Sequence, residues 1–400
     1  MTSTLPLAGV RVVDFTWVIA GPVSTKWLAA YGAEVIKIER YAQGERVNRG
    51  AMSPDSVVSF NNINVNKSSL ALDMRQPQAR EVVRKLIAIS DLVVDNFSPD
   101  VLPKWGFSYD ELRAINPLIV SVSMPALGAT GPHRNYRGLG SYFQARAALD
   151  GLIGYPHREI VDAGFAYADT TCNSAHATIA ILAALRHQRV SGQGQHVELR
   201  QLESAINFLG PSLLQYTSGG GEPERMGSRS AFRSPHSVYR CAGDDEWCAI
   251  TVAGDAQWHA LCGAIGHPEW VNDPRFASVL GRKSNEAELD AGIQAWTESR
   301  APVEVMETLQ AAGVDAGAVQ NIADMLERDP QVAHRGFYVR FAEDAVVESV
   351  PFKLSAATPT IQREPPPLGA DSIRVLRDLL SMPSNEVREL IEAGAVGVAE

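Results

Sequence analysis

The chain has 400 residues, 45% of them apolar and 20% charged, with seven Trp, ten Tyr and twelve Phe, which is the composition of an ordinary globular protein. One hydrophobic core usually stops growing below this length, so we expect two domains or one elaborated large domain. Acidic residues outnumber basic ones by 46 to 36, and the net charge of -10 argues against nucleic acid and anionic membranes as partners.

The cysteines and the N-terminal segment indicate in which cellular compartment the protein is expected. Cys172, Cys241, Cys248 and Cys262 show no CxxC spacing and no histidine pattern of a metal site, so we expect reduced, buried thiols. The N-terminal residues lack a signal-peptide pattern, and no run approaches the roughly 20 apolar residues that cross a bilayer. A cytoplasmic protein with no membrane partner is expected.

The first 125 residues alternate between two kinds of segment. Short apolar runs at 10–15, 34–38, 91–97 and 118–124 predict strands, and segments of helical period predict helices at 22–31, 77–90 and 109–115. This alternation predicts an α/β, Rossmann-like layer with a parallel sheet and covering helices.

A long helix is predicted from Asp169 to His187, with Ala175, Ile179, Leu182 and Arg186 on one stripe. A strand at 195–199 and a helix at 201–216 follow. The polar, glycine-rich stretch 218–237 then has the composition of a linker.

The pattern changes after residue 238, with a strand at 247–252, helices at 256–265 and 303–312, and a turn at 313–317. These elements predict a smaller α+β domain. The tail has a proline-rich stretch at 359–367 and two predicted helices, at 372–380 and 384–393.

Three common enzyme signatures are missing from the sequence. The turn after the first strand contains Ala20, Gly21 and Pro22 in place of the GxGxxG that binds a dinucleotide, which disfavours nicotinamide-dependent chemistry. Neither an HExxH motif nor a GxSxG motif occurs, so the sequence lacks the motifs typical of zinc-dependent hydrolases and of serine hydrolases.

Asp169 has two interpretations from its position alone. Its residue type and the apolar stripe after it are typical of a helix N-cap. A helix N-terminus also stabilises a carboxylate anion, which suits a nucleophile. Similarly, Arg40, Lys104 and Arg137 are either solvated surface or, near the ends of the predicted sheet, contacts for an anionic ligand.

Several stretches, in their shared order, resemble the family III CoA-transferases, which include formyl-CoA and carnitine CoA-transferases and the related methylacyl-CoA racemases. They are LAGVRVVDFTWVIAGP (7–22), YGAEVIKIER (31–40), NVNKSSLALDM (64–74), DLVVDNFSPDVLPKWGF (91–107), SGQGQHVELRQLESA (191–205) and PPLGADSIRVLRDLL (366–380). The resemblance covers nearly the whole chain.

The resemblance implies a domain organisation and an assembly. Residues 1–217 would form the large Rossmann-like CoA-binding domain, 218–237 a linker and 238–335 the small domain. Residues 336–400 would form a second linker and return to the large domain. Two chains would interlock as a homodimer, with a hetero-oligomer as the alternative.

The resemblance also implies the site residues. The catalytic aspartate falls on Asp169, and the contacts to coenzyme A fall on Val18, Ala20, Arg40, Leu72, Asn96, Phe97, Lys104 and Arg137. Asp169 would attack an acyl-CoA to give a mixed anhydride, and the released thiolate would convert it to an aspartyl-CoA thioester that an incoming carboxylic acid resolves. The partners are then an acyl-CoA donor, such as succinyl-CoA, and an acid acceptor. No metal and no nicotinamide or flavin is needed.

Two alternatives stay open at this stage. A 2-methylacyl-CoA racemase would use a histidine in a GHD-type motif, but the corresponding segment, 137–142, has none, and His133 lies in an earlier turn. A catalytically inactive CoA-binding subunit of a hetero-oligomer would lack an acidic residue at position 169. Trp17, Ile19 and Leu139 favour a substrate larger than oxalate or formate, and Arg46 and Arg49 are candidates for holding a second carboxylate.

Overall fold

The computed structural model describes residues 5–42, 60–164, 166–341 and 345–399, so Arg46 and Arg49 lie outside the described residues. The chain divides into two compact units. The larger comprises Met1–Leu149, Asp162–Leu213 and His334–Glu400, and the smaller comprises Asp150–Val161 and Leu214–Ala333. The smaller unit thus takes in residues 150–161 and the whole stretch 218–237 predicted as a linker. One reason is a backbone hydrogen bond from Gly227 N–H to the Gly154 carbonyl, 2.9 Å long.

Twelve strands occur in the described part of the chain. They are β1 (Arg11–Asp14), β2 (Glu34–Arg40), β3 (Ser68–Leu72), β4 (Leu92–Asp95), β5 (Val120–Ser123), β6 (Gln195–Glu198), β7 (His236–Arg240), β8 (Trp247–Thr251), β9 (Asp315–Ala318), β10 (Tyr338–Arg340), β11 (Val346–Glu348) and β12 (Val396–Gly397). Seven of them form one sheet in the order β12-β3-β2-β1-β4-β5-β6.

This large sheet is parallel except for β12, which pairs antiparallel with β3 at one edge. The expectation of an α/β fold with a parallel sheet is therefore confirmed. The sequence interpretation missed β3 and β12. Because β1 to β6 run in one direction, their carboxyl ends lie along the same edge, where open α/β sheets bind their ligands.

Several helices pack on this sheet, among them Ala20–Ala30, Pro77–Ala88 and Ser174–Ser191. The helices before residue 220 are Ala20–Ala30, Pro77–Ala88, Val101–Lys104, Tyr109–Ile115, Gly140–Arg146, Leu149–Leu152, Ser174–Ser191, Gln201–Ile206 and Gly210–Thr217, with a π-helix at Asp169–Asn173 and a 3-10 turn at Asn207–Leu209. The tail adds Ser372–Arg374, a π-helix at Val375–Leu379, and Ser384–Glu392. The tail packs its apolar residues, such as Leu376 and Val387, into the same buried cluster as Leu70 and Leu86.

The predicted apolar stripe of the long helix is on the wrong face. The residues of Ser174–Ser191 that enter the core are Ala177, Ile181, Ala184 and Leu185, which pack with β1, β4 and β5. Ile179 is 65% exposed and Leu182 is 42% exposed. A helical period alone does not say which of two apolar stripes faces the sheet, and here the small alanines allow the close approach.

The smaller unit has its own sheet and core. Strands β7, β8 and β9 form an antiparallel sheet, with Cys248 opposite both Tyr239 and Ala318. The helices here are Asp255–Ile265, Val279–Ser284, Glu286–Thr297, Pro302–Ala311 and Pro330–Arg335, with a 3-10 turn at Pro268–Val271 and a π-helix at Asp324–Arg328. The segment predicted as a turn at 313–317 is instead mostly strand, because residues 315–318 complete the β8 ladder.

The cysteines and the helices agree with two expectations from the sequence. All four cysteines are free and buried. Within the described ranges, no helix is both long enough and apolar enough to cross a membrane.

Candidate active site

The turn after β1 is fixed by a buried polar network around Asp14. The Asp14 carboxylate accepts hydrogen bonds from Thr16 N–H (2.8 Å) and the Thr25 hydroxyl (2.8 Å), and its Oδ2 lies 3.1 Å from Lys67 Nζ. The side chains of Asp14 and Lys67 are both fully buried. Lys37 Nζ donates to the Thr16 carbonyl at 2.6 Å. Burial by itself would raise the pKa of Asp14, but the Lys67 and Lys37 charges, with the threonine hydroxyls, lower it to about 2.

Asn96 holds the next residue of this turn. Its Oδ1 accepts from Trp17 N–H at 2.9 Å, and its Nδ2 donates to the Trp17 carbonyl at 2.8 Å. The following residue, Val18, has φ of 61°. This left-handed conformation is unfavourable for a β-branched residue, and such strain persists only where the surroundings enforce it, often at ligand sites. The turn from Thr16 to Val18 is therefore held in one conformation before any ligand binds.

Most residues expected to contact coenzyme A lie at the carboxyl edge of adjacent strands. Val18 and Ala20 follow β1, Arg40 and Leu72 end β2 and β3, and Asn96 and Phe97 follow β4. Arg40, Lys104 and Arg137 are exposed, and Val18, Asn96 and Phe97 are half-buried. Among these, the structure brings Asn96 together with the turn that contains Val18.

Four of these residues differ in their surroundings. The Leu72 side chain is fully buried in the core, so it offers a ligand no exposed surface. Lys104 ends the short helix Val101–Lys104, and Phe97 packs edge-on against Trp105 with ring centroids 5.7 Å apart. Arg137 lies in the loop before Gly140–Arg146.

The predicted role of Asp169 as a helix N-cap is wrong. Residues 167 and 168 are already helical, Asp169 begins a π-helical turn, and its side chain makes no capping hydrogen bond. π-helical turns within α-helices occur frequently at functional sites. The Ser174 hydroxyl lies 2.8 Å from the Ala20 carbonyl and 2.5 Å from the Asp169 carbonyl, so this turn is tied to the end of the β1 turn.

The Asp169 side chain is only 4% exposed. Burial raises the pKa of Asp169 to about 6, although a hydrogen bond from Asn173 acts to lower it. The expected stabilisation of the anion by a helix N-terminus is therefore outweighed by loss of water. An ionised carboxylate in such a place is poorly solvated and correspondingly reactive.

Four neighbours of Asp169 were missed in the sequence. Asn173 Nδ2 donates to Asp169 Oδ1 at 3.0 Å and lies 3.3 Å from Gln201 Oε1. A Cβ atom on Gly140 would lie 2.7 Å from Asp169 Oδ2, so only glycine leaves room for this carboxylate. The fourth neighbour is Ser174, whose hydroxyl contacts the Asp169 carbonyl. The signal for Asn173 was available, because residues four apart share one face of a helix.

His133 has contacts of its own. Its ring packs on Tyr136 with centroids 4.5 Å apart, and its Nδ1 lies 3.5 Å from Arg146 Nη2. The side chain is half-buried in the loop before Gly140.

The sequence of this chain is similar to that of known proteins. Residues 7–372 match the model of CoA-transferase family III. A probable CoA-transferase of Mycobacterium tuberculosis is 33% identical over an alignment of 398 residues that covers 96% of this chain, although the chain spans only half the length of that relative. The succinyl-CoA–D-citramalate CoA-transferase of Chloroflexus aurantiacus is 30% identical over an alignment of 391 residues, which covers 96% of this chain and 96% of that relative.

A solved structure agrees. A CaiB/BaiF family protein from Brucella suis superposes with a TM-score of 0.83 at 28% identity, covering 94% of this chain and 99% of that one. Fold and relatives thus define a transferase with an α/β architecture. The chain belongs to CoA-transferase family III.

Proposed function

We propose that this protein moves coenzyme A from an acyl-CoA donor to a carboxylic acid through two kinds of covalent intermediate on Asp169, mixed anhydrides and an aspartyl-CoA thioester. The observation that carries the proposal is the environment of Asp169. It is a buried carboxylate with a raised pKa, placed between Gly140 and Asn173 on a helix tied to the turn after β1.

The reaction divides into four acyl transfers. Asp169 attacks the donor thioester carbonyl and expels the CoA thiolate, which gives an acyl-aspartyl anhydride. The thiolate then attacks Cγ of Asp169, releases the donor acid and leaves an aspartyl-CoA thioester. The acceptor carboxylate repeats these two steps in reverse order, which restores the Asp169 carboxylate. Covalent catalysis thereby divides one exchange between weak nucleophiles into steps of similar energy.

The turn after β1 suits the binding of coenzyme A. Its backbone conformation is fixed by Asn96 and Lys37, so little entropy is lost when a ligand contacts Val18 and Ala20. Arg40, Lys104 and Arg137 are exposed cations for the phosphates. In this scheme Asn96 acts by holding Trp17, since its Oδ1 and its Nδ2 both form hydrogen bonds with the Trp17 backbone.

We propose succinyl-CoA as donor and a substituted dicarboxylic acid as acceptor. The relative from Chloroflexus aurantiacus is named for succinyl-CoA and D-citramalate. In this chain Trp17 is 53% exposed and Leu139 is 48% exposed, and each lies close in sequence to a residue of the site. Exposed apolar side chains here favour an acid with an apolar substituent over oxalate or formate.

We also propose a homodimer. On the larger unit, Ile179 and Leu213 are 65% and 58% exposed, and Leu182 and Phe208 are also exposed. Exposed apolar side chains of this size commonly mark an interface. Light scattering on the purified protein should give twice the chain mass of 43.3 kDa. A mass of one chain would contradict the homodimer, and recovery of a second polypeptide from cells would favour a hetero-oligomer.

The experiment that tests the function is an exchange assay without ATP. The protein is mixed with succinyl-CoA and a panel of dicarboxylic acids, including D-citramalate, and new thioesters are identified by chromatography and mass spectrometry. A new acyl-CoA together with an equal amount of free succinate supports the proposal. If instead a chiral 2-methylacyl-CoA exchanges its alpha proton with heavy water and no new thioester forms, the enzyme is a racemase and the proposal fails.

A further inference from the structure

The two oxygens of the Asp169 carboxylate have different surroundings. Oδ1 accepts the hydrogen bond from Asn173 Nδ2 at 3.0 Å. Oδ2 lies beside the backbone of Gly140, within 2.7 Å of the place where a Cβ would be. Oδ1 is therefore the held oxygen, and the missing Cβ at Gly140 lets Oδ2 lie on that side without a clash, which leaves Oδ2 as the oxygen that forms the new bond.

Asn173 is itself oriented by a chain of amides that begins at the sheet. Gln201 Nε2 donates to the Met124 carbonyl, just beyond β5, at 2.6 Å. A carbonyl can only accept, so Gln201 must present its Oε1 to Asn173, which lies 3.3 Å away. Asn173 must then present its Nδ2 to both Gln201 and Asp169. Asn173 is fully buried and Gln201 is 5% exposed, so water does not compete strongly for these groups.

We infer that Asn173 is the oxyanion donor for the steps in which the Asp169 carbonyl carbon is attacked, and that Gln201 is its positioning residue. The inference rests on the proposed covalent function of Asp169 and adds a role that the family resemblance did not supply. It uses a hydrogen bond that already exists before any substrate binds.

The bond changes fix when Asn173 acts. When the anhydride forms through Oδ2, Oδ1 remains as the carbonyl oxygen of the aspartyl group. The thiolate sulfur then bonds to Cγ, and the electron pair of the carbonyl moves onto Oδ1, which faces Asn173 Nδ2. Collapse breaks the Cγ–Oδ2 bond and releases the donor acid with Oδ2. The acceptor carboxylate later attacks the same Cγ, so Oδ1 takes up negative charge twice in each turnover.

The first step differs, because its negative charge develops on the oxygen of the substrate carbonyl. Asn173 therefore contributes most to formation and breakdown of the aspartyl-CoA thioester. Removal of one preorganised oxyanion donor typically costs about 10² to 10³ in rate.

The test uses Asn173→Leu, which keeps the approximate side-chain size and removes the donor. We expect kcat to fall about 10² to 10³-fold, with the KM for succinyl-CoA changed by no more than about twofold. Mass spectrometry of the denatured enzyme after mixing with succinyl-CoA should show aspartyl-CoA forming more slowly by a similar factor.

A second variant separates catalysis from folding. Asn173→Leu leaves Gln201 Oε1 without its donor, which costs stability. Gln201→Met removes that acceptor and also the donor to the Met124 carbonyl, so it should destabilise the fold by a similar amount while the Asn173 amide stays in place. Gln201→Met should therefore be slowed far less than Asn173→Leu, whereas a purely structural role predicts equal losses of activity in the two variants.

The outcomes also separate this inference from the proposed function. If the wild-type enzyme exchanges CoA and Asn173→Leu keeps its rate within about threefold, the role of Asn173 is overturned and the function stands. If the wild-type enzyme itself forms neither a new thioester nor an aspartyl-CoA adduct, the proposed function fails first.

Discussion

Asp169→Asn is expected to lower the rate of CoA transfer by at least about 10⁴-fold, the scale seen when a covalent nucleophile is removed. The amide has nearly the same shape as the carboxylate and its oxygen can still accept from Asn173, but it is not a nucleophile for a thioester. Initial rates of acyl-CoA formation from succinyl-CoA measure the effect, and mass spectrometry should find no aspartyl-CoA adduct.

The same variant has an expected effect on stability. In the folded protein the pKa of Asp169 is raised from 3.8 to about 6. Above pH 6 the folded state therefore bears a cost for ionising this group, and the cost is relieved as pH falls toward 3.8. The shift corresponds to about 3 kcal/mol at most. Asp169→Asn removes the charge, so its free energy of unfolding at pH 8 should equal or exceed that of the wild type.

The ionisation also predicts how the wild-type rate depends on pH. The attacking form is the carboxylate, so kcat/KM should be level above about pH 6 and fall about tenfold per pH unit below it. Wild-type protein that is folded but slow at pH 5 would match this expectation. An Asp169→Asn variant that is stable and still exchanges CoA would contradict the covalent role, and one that unfolds at pH 8 would contradict the expected stability.

Most strands of the large sheet that could be predicted from the sequence have apolar side chains that face the core, and β6 is the exception, since its side chains are half-buried or exposed. β1, β2, β4 and β5 appear as short apolar runs between turn residues. β3 does not, because Ser68 and Ser69 lie in it. These hydroxyls are buried in the fold, where the Ser69 hydroxyl bonds to Glu39 and the Ser68 hydroxyl accepts from Arg374. Those partners are distant in sequence, so the pattern of apolar residues does not reveal them.

The site was predictable in position and less so in chemistry. The order of the family motifs pointed to Asp169, but its residue type suggested a cap. The raised pKa depends on burial, which residues from separate parts of the chain produce together. The importance of Gly140 was also not predictable, because its backbone angles are ones that any residue can adopt. Its requirement for glycine is steric and appears only once the Asp169 carboxylate is placed against it.

Lys67→Met is expected to destabilise the protein by about 3 to 5 kcal/mol, the usual cost of breaking a buried ion pair from one side. Lys67 Nζ contacts Asp14 Oδ2 at 3.1 Å and donates to the Pro22 carbonyl, the Thr25 hydroxyl and Asn64 Oδ1 at 2.8 to 3.0 Å. Methionine fills the space but leaves the Asp14 carboxylate and these other acceptors buried without their cation. Burial lowers the pKa of Lys67 to about 7, so urea unfolding at pH 6, where this residue is charged, measures the loss.

Lys85→Met is the matched control, because Lys85 also forms an ion pair, with Glu386 at 2.8 Å, but both side chains are about 40% exposed. Its loss should stay below about 1 kcal/mol. The Asp14 network fixes the turn that carries Val18, so Lys67→Met should also raise the KM for succinyl-CoA, whereas Lys85→Met should not. Equal destabilisation by the two variants would show that the buried pair does not anchor the turn. An unchanged KM in a destabilised Lys67→Met protein would instead separate the stability of the fold from the shape of the CoA site.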